Sequence, residues 1–491
     1  MYRRTAILLL LAVFSVNVYR AWTQSITIDE AFTESLFLNG RLSLLFSSYD
    51  ACHHVLHTIL SKLSVLLFGL SEFTLRIPSL LGGLLYLVTV YRLARHVFGE
   101  GRQFLLAVAL VSLNPLMLDF MSAARGYGLA VALLLWSLYQ MLLATGGDQD
   151  VSRIYKAGLG LGLAVAANLT LLVPGTALAI LFILLLAGSR RFSAALDSFV
   201  VPGIVTAFVI VILPLAKATR DSFYVGSASL GDSLRNLVAL SMFHHPLDRR
   251  LSVFLPKPDF WYTFLGYVLV PAVLGAAGVA CVVILCRWVK RRDLTQFDGP
   301  SRFLLLGGGS LVLAIGILVA LHGAFKVLYP YGRTGLYLIP LFSLTALALP
   351  ASISKHRTAF LLTGGPLWVV GAAWVALYLV QFQTTCYGEW LFDASTKDIV
   401  KLIRDRQRER PLAKVRVGIS WELEPSMNFY RRVYKLEWMT PLDRKGPDGD
   451  FDYYVLLDGQ APLIKKRGLR VLYDNRVSGV YLAEPGVAGS H

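Results

Sequence analysis

A succession of apolar runs, most of them close to twenty residues long, constrains this chain more than any other feature. About 20 consecutive, mostly apolar residues cross the hydrocarbon core of a bilayer. Such runs lie at roughly 5–21, 77–97, 103–120, 127–145, 157–170, 171–188, 196–216, 261–286, 302–322, 334–350 and 358–380. With 55% hydrophobic residues and 16% charged ones, a soluble fold of 491 residues could not hide so much apolar side chain. The expected class is an α-helical polytopic membrane protein with about eleven transmembrane helices. The two runs within 157–188 are divided at Asn168 and Pro174, and each is short for a full crossing.

Charge supports this layout. The net charge of +16 would hint at nucleic acid in a soluble protein. Here the basic residues fall in alternate short loops: Arg3 and Arg4; Arg92, Arg95 and Arg102; Arg153 and Lys156; Arg190 and Arg191; Arg287, Lys290, Arg291 and Arg292; Lys355 and Arg357. That is the positive-inside pattern. It places the N-terminus in the cytoplasm and excludes a nucleic-acid partner. The opening MYRRTAILLLLAVFSVNVY lacks a small-residue cleavage site and reads as a retained anchor of a bacterial inner or plasma membrane protein.

Three long segments then face outward: 22–76, 217–260 and the tail from about 383. Residues 1–382 are expected to form the transmembrane domain and 383–491 a small extracytoplasmic α/β domain. The tail has polar helices at 394–408 and 424–434. Its strand-like runs are at 414–420, 452–457, 470–475 and 479–484, each β-branched or aromatic between turn residues.

The first outer segment carries the chemistry. TIDEAFTESLFLNG (27–40) reads as a helix, with Thr27 as N-cap and Glu30 three residues on, the spacing of a capping box. Asp29 falls in the first turn, where the helix dipole favours negative charge. Both are candidate catalytic acids. Neighbours on a helix diverge by about 100°, so Glu30 suits the cap and Asp29 the chemistry. Next, YDACHHVLHTIL (49–60) clusters His53, His54 and His57 at the start of an amphipathic juxtamembrane helix. His53 and His57 share a face, but zinc needs a third ligand that the spacing does not supply. The four cysteines have no metal-ligand spacing either. No cofactor is expected; a divalent metal stays open, but no residue pattern indicates one.

Taken in order, these stretches resemble a family. Asp29-Glu30, then His53-His54-Val55-Leu56-His57, Phe68-Gly69-Leu70-Ser71-Glu72, Leu75-Arg76-Ile77-Pro78-Ser79, SAARGYGL (122–129) and YGRTGLYLIP (331–340) follow the pattern of the GT-C glycosyltransferases. These include the protein O-mannosyltransferases and lipid A aminoarabinose transferases, and the bacterial mannosyltransferase-like branch looks most similar. The chain departs from the pattern where His54-Val55 replace a Pro-Pro pair and where Ala123 and Ala124 stand near an expected Glu.

The resemblance implies an integral membrane enzyme that moves a sugar from a polyprenyl-phosphate donor to an acceptor hydroxyl on a glycan, lipid or protein. It also implies an extracytoplasmic reaction and Asp29 as general base. A phosphate leaving group needs little protonation, which removes the acid from the two-carboxylate logic of inverting glycosidases. It needs cations instead, and arginine matches phosphate by its planar fork of donors. The candidates for donor phosphate are Arg125, Arg333, His53, His54 and Lys326. His57, Tyr127, Tyr331 and Tyr337 are candidates for a sugar or lipid pocket. The arginines also suit interfacial snorkelling, and the tyrosines an aromatic belt. Two other functions stay open: a transporter or flippase of lipid-linked sugars, and a non-catalytic glycolipid-binding relative.

Overall fold

The computed structural model describes residues 1–46, 48–146, 150–187, 192–219, 225–242, 258–291, 293–353, 357–409 and 411–486. The basic loops expected at 190–191 and 355, and much of the segment 217–260, lie outside the described residues. The chain forms two compact units. The first comprises Met1–Val18, Phe46–Leu60 and Pro78–Phe382, and the second Tyr19–Leu45, Ser61–Ile77 and Gln383–His491.

The fold is mostly helical, with seven described helices long and apolar enough to cross a membrane. They are Tyr2–Thr23, Glu72–Phe98, Gly126–Ala144, Leu169–Leu186, Ala195–Leu215, Asp259–Lys290 and Gly299–Phe325. Seven of the expected runs coincide with them. Of the remaining four, the run at 358–380 corresponds to the 25-residue helix Arg357–Gln381 and the other three to shorter helices, and local sequence explains two of these. Within 103–120, Asn114 accepts a hydrogen bond from the Met117 amide and Pro115 opens a new helix. The run therefore divides into Arg102–Ser112 and Pro115–Phe120. Within 157–188 the break falls at Asn168, which ends helix Val151–Ala167 and accepts from the Thr170 amide to open the next turn.

Helix Val151–Ala167 is held by small residues. A Cβ on Gly158 would lie 2.1 Å from the Phe199 carbonyl oxygen, and one on Gly162 would lie 2.3 Å from that of Gly203. Four residues apart, the two glycines share a face and let the backbone of Phe192–Leu215 approach closely, the small-residue packing of membrane helices. The long helices at 259–290 and 299–325 each contain a single π turn, at Leu265–Leu269 and Leu304–Gly308.

In the second unit, helix α1 (Ile28–Thr33) continues into a π turn at Glu34–Leu38. The C-terminal segment forms helices α2 (Thr396–Glu409) and α3 (Glu424–Val433). Its strands are β1 (Val417–Ile419), β2 (Tyr453–Leu457), β3 (Leu469–Asn475) and β4 (Val480–Pro485). All four strands and both helices fall within or beside the expected stretches. The sheet order is β1-β2-β4-β3, with β1 parallel to β2 and the other pairs antiparallel. Central β2 is almost wholly buried, as its run YYVLL predicts.

Candidate functional site

The acid pair belongs to the second unit. Thr27 caps α1: its hydroxyl accepts from the Glu30 amide at 3.3 Å, while Glu30 Oε2 accepts from the Thr27 amide at 2.8 Å. The capping box is thus complete. Glu30 is also engaged by Arg76, through Nε–Oε1 at 2.8 Å and Nη2–Oε2 at 2.7 Å. Both side chains are fully buried. Arg76 spends its other donors on the carbonyls of Ala21, Gln24 and Ser25, at 3.1, 2.8 and 2.7 Å. Glu30 therefore closes the turn before α1 and the start of the 72–98 helix into one neutral knot. Asp29, one residue earlier, is only half-buried, and its backbone carbonyl accepts from the Thr33 hydroxyl at 2.8 Å.

Arg76 appears in the family pattern, but the sequence assigns it no role. Asp393 carries no local signal at all. It is buried, and its Oδ2 accepts from the Ile28 amide at 2.6 Å. Burial pushes its carboxyl well above the usual range. The Ser426 and Ile28 bonds oppose that shift, and the negative charges of Asp29 and Glu30 add to it.

The basic residues belong to the first unit. Asp50 starts a tight turn by accepting from the Cys52 amide at 2.9 Å, and the turn delivers His53 and His54 to the helix Val55–Phe68. The Arg125 guanidinium donates to the Cys52 carbonyl at 3.2 Å. His57 Nε2 and Ser79 Oγ lie 2.8 Å apart, and Ser79 donates to the Arg125 carbonyl at 3.4 Å. His54 meets Tyr127 edge-on with ring centroids 4.6 Å apart. The three histidines, Arg125 and Tyr127 are all buried. Gly126 permits the approach, since a Cβ there would lie 2.3 Å from the Ala167 carbonyl oxygen and 2.6 Å from His54 Cβ.

Burial lowers the His53 pKa to about 4, against the pull of Asp50. Burial and then the Arg125 charge lower His57 to about 3. His54 is held well below its ordinary value by burial first, then by Arg125, His57, Arg333 and His53. At neutral pH these histidines are uncharged donors and acceptors, and the arginines supply the positive charge. Arg333 thus acts electrostatically on the same cluster, from a 3₁₀ turn at Gly332–Gly335. Lys326 stands exposed at the left-handed end of the helix Gly309–Phe325. Tyr331 is exposed and Tyr337 fully buried. Among the described residues, no three His, Cys, Asp or Glu side chains are grouped to hold a metal ion.

Residues 53–216 match the model of the dolichyl-phosphate-mannose-protein mannosyltransferase family. The matched segment contains the three histidines, Arg125 and Tyr127, and over it the resemblance read from the motifs is borne out. Asp29, Glu30 and the 331–340 stretch lie outside it. No curated protein gives a significant sequence match. Among solved structures, the chain is similar to ArnT from Cupriavidus metallidurans bound to undecaprenyl phosphate, at 14% identity over 98% of each chain and a TM-score of 0.44. It is similar to the Archaeoglobus fulgidus oligosaccharyltransferase in complex with Zn and sulfate, at 14% identity over 97% of this chain and 73% of that one, with a TM-score of 0.46. The arabinofuranosyltransferase AftD from Mycobacteria is similar at 14% identity over 100% of this chain and 40% of its own, with a TM-score of 0.44.

Proposed function

We propose that this protein is a membrane glycosyltransferase that passes a sugar from a polyprenyl-phosphate donor to an acceptor hydroxyl on the extracytoplasmic face. The observation that carries the reading is the buried cluster of His53, His54, His57 and Arg125, inside the segment that matches a lipid-phosphate-sugar transferase family. A phosphate monoanion meets there a guanidinium fork and imidazoles able to donate hydrogen bonds without adding charge. Arg333 strengthens the local positive field, and Tyr127 borders the cluster as a wall for sugar or lipid.

In this mechanism Asp29 takes the proton of the acceptor hydroxyl as that oxygen attacks the anomeric carbon. The bond from the anomeric carbon to the phosphate oxygen breaks on the opposite side, so the configuration inverts. The charge that grows on the leaving phosphate is met by Arg125 and Arg333, the electrostatic stabilisation that commonly dominates such steps. Glu30 has a different role, because its oxygens are committed to Arg76 and the helix cap.

The test supplies membranes containing the protein with labelled polyprenyl-phosphate hexoses and pentoses, and in parallel with nucleotide sugars. The reading expects label in an acceptor from a lipid-phosphate donor, with inverted anomeric configuration. Movement of the donor between leaflets with no glycosylated product would replace it with the flippase reading.

A further inference from the structure

The α-helical part of the acid-bearing segment, α1, has only six residues, Ile28–Thr33, and one π turn then ends the element at Leu38. So short a helix does not hold its own position, and its first amides need acceptors from elsewhere. Thr27 serves the Glu30 amide. The Ile28 amide is served from 365 residues away, by Asp393 Oδ2 at 2.6 Å. The other Asp393 oxygen receives the Ser426 hydroxyl at 2.7 Å, so that carboxyl joins the start of α1 to the C-terminal segment. Two residues before Ile28, the Ile26 amide donates to the Tyr430 hydroxyl at 2.8 Å. Asp393 is 1% exposed and Tyr430 and Ser426 are both fully buried, so water cannot substitute for these partners.

We propose that Asp393 is a positioning residue for the acid pair, holding the first turn of α1, and through it Asp29, from the C-terminal segment of the chain. The inference rests on the reading of Asp29 as the catalytic base. Asp393 acts as a hydrogen-bond acceptor whose second oxygen is anchored by Ser426. Burial and two neighbouring acids favour its neutral form, and an amide in its place can accept from the Ile28 amide through its oxygen and donate through its nitrogen to the Ser426 hydroxyl oxygen, keeping both links. The C-terminal segment is then part of the catalytic apparatus, by fixing where a base points.

Hydrogen–deuterium exchange on the full-length protein and transfer from dolichyl-phosphate mannose test this together. Asp393→Ala removes the acceptor and leaves a buried amide unpaired. Amides of Ile28–Glu30 should then exchange about tenfold faster or more, and kcat should fall about ten- to hundredfold at unchanged donor KM. Asp393→Asn should restore both to within about twofold. Wild-type exchange in the alanine variant overturns the proposal. So does faster exchange with unchanged kcat, or an asparagine variant as impaired as the alanine one. If Asp29→Asn proves fully active, the base reading fails separately, because the exchange result does not depend on it.

Discussion

The two clusters of functional residues handle charge in opposite ways. In the second unit, Glu30 and Arg76 meet through two short bonds and neutralise each other, and every remaining Arg76 donor goes to a backbone carbonyl. In the first unit, positive charge is concentrated. Burial first, then Arg125 and, further down, Arg333 hold the His54 pKa well below its ordinary value, and burial lowers His53 to about 4 and His57 to about 3. A closed ion pair is an architectural device, whereas a cationic cluster lined with neutral imidazoles is suited to an anion. The lesson is that burial of a charged side chain does not identify its role.

The contrast is broken most forcefully at the closed pair. Arg76→Ala leaves the Glu30 carboxylate buried without its counter-charge, and should destabilise the protein by about 3–5 kcal/mol. Thermal unfolding of the detergent-solubilised variant would check this, and an unchanged midpoint would deny the knot its structural role. At the cationic cluster the expected loss lies in function. Arg125→Ala should weaken donor turnover by about a hundredfold, with a stability cost of about 1–3 kcal/mol for the Cys52 carbonyl it leaves buried without that donor, and Arg125→Lys should recover turnover only in part, because an ammonium lacks the fork. Kinetics on labelled lipid-phosphate donor would show it. Gly126→Ala drives a methyl into the Ala167 carbonyl and His54. It should cost about 1–3 kcal/mol by overpacking and raise the donor KM as the cluster shifts.

A further effect is a pH dependence. His53 and His57 have folded pKa values below the unfolded value, so the unfolded chain binds more protons as the solution becomes acidic. Their contribution to stability is present above about pH 6.5. It is lost as pH falls toward 4 for His53 and toward 3 for His57. His53→Asn should flatten part of that slope in unfolding midpoints measured between pH 4 and 7. A slope identical to wild type would mean that His53 is not neutral in the folded protein.

What the sequence revealed tracks the range over which each feature is encoded. The capping box at Thr27 and Glu30 was legible because its partners are three residues apart. The C-terminal strands were legible from their β-branched and aromatic runs between turns, and the break at Asn168 from a polar residue inside an apolar run. The Asn114-Pro115 break was equally local, yet the apolar residues on both sides concealed it within one span. The Arg76–Glu30 pair spans 46 residues and the Asp393–Ile28 bond 365, and no periodicity signals either. The histidine turn was visible as a cluster. Its neutrality was not, because that depends on burial and on Arg125 and Arg333, which the tertiary fold brings near.

The central claim is that two adjacent acids divide the labour, Glu30 holding the structure and Asp29 performing the chemistry. The most direct measurement compares Asp29→Asn with Glu30→Gln in the same membranes, reading transfer from the lipid-phosphate sugar and the unfolding midpoint of each. Asp29→Asn should lose about 10²- to 10⁴-fold in transfer rate at an unchanged midpoint, whereas Glu30→Gln should lower the midpoint. A fully active Asp29→Asn, or a Glu30→Gln variant that is stable as wild type yet inactive, would contradict this division.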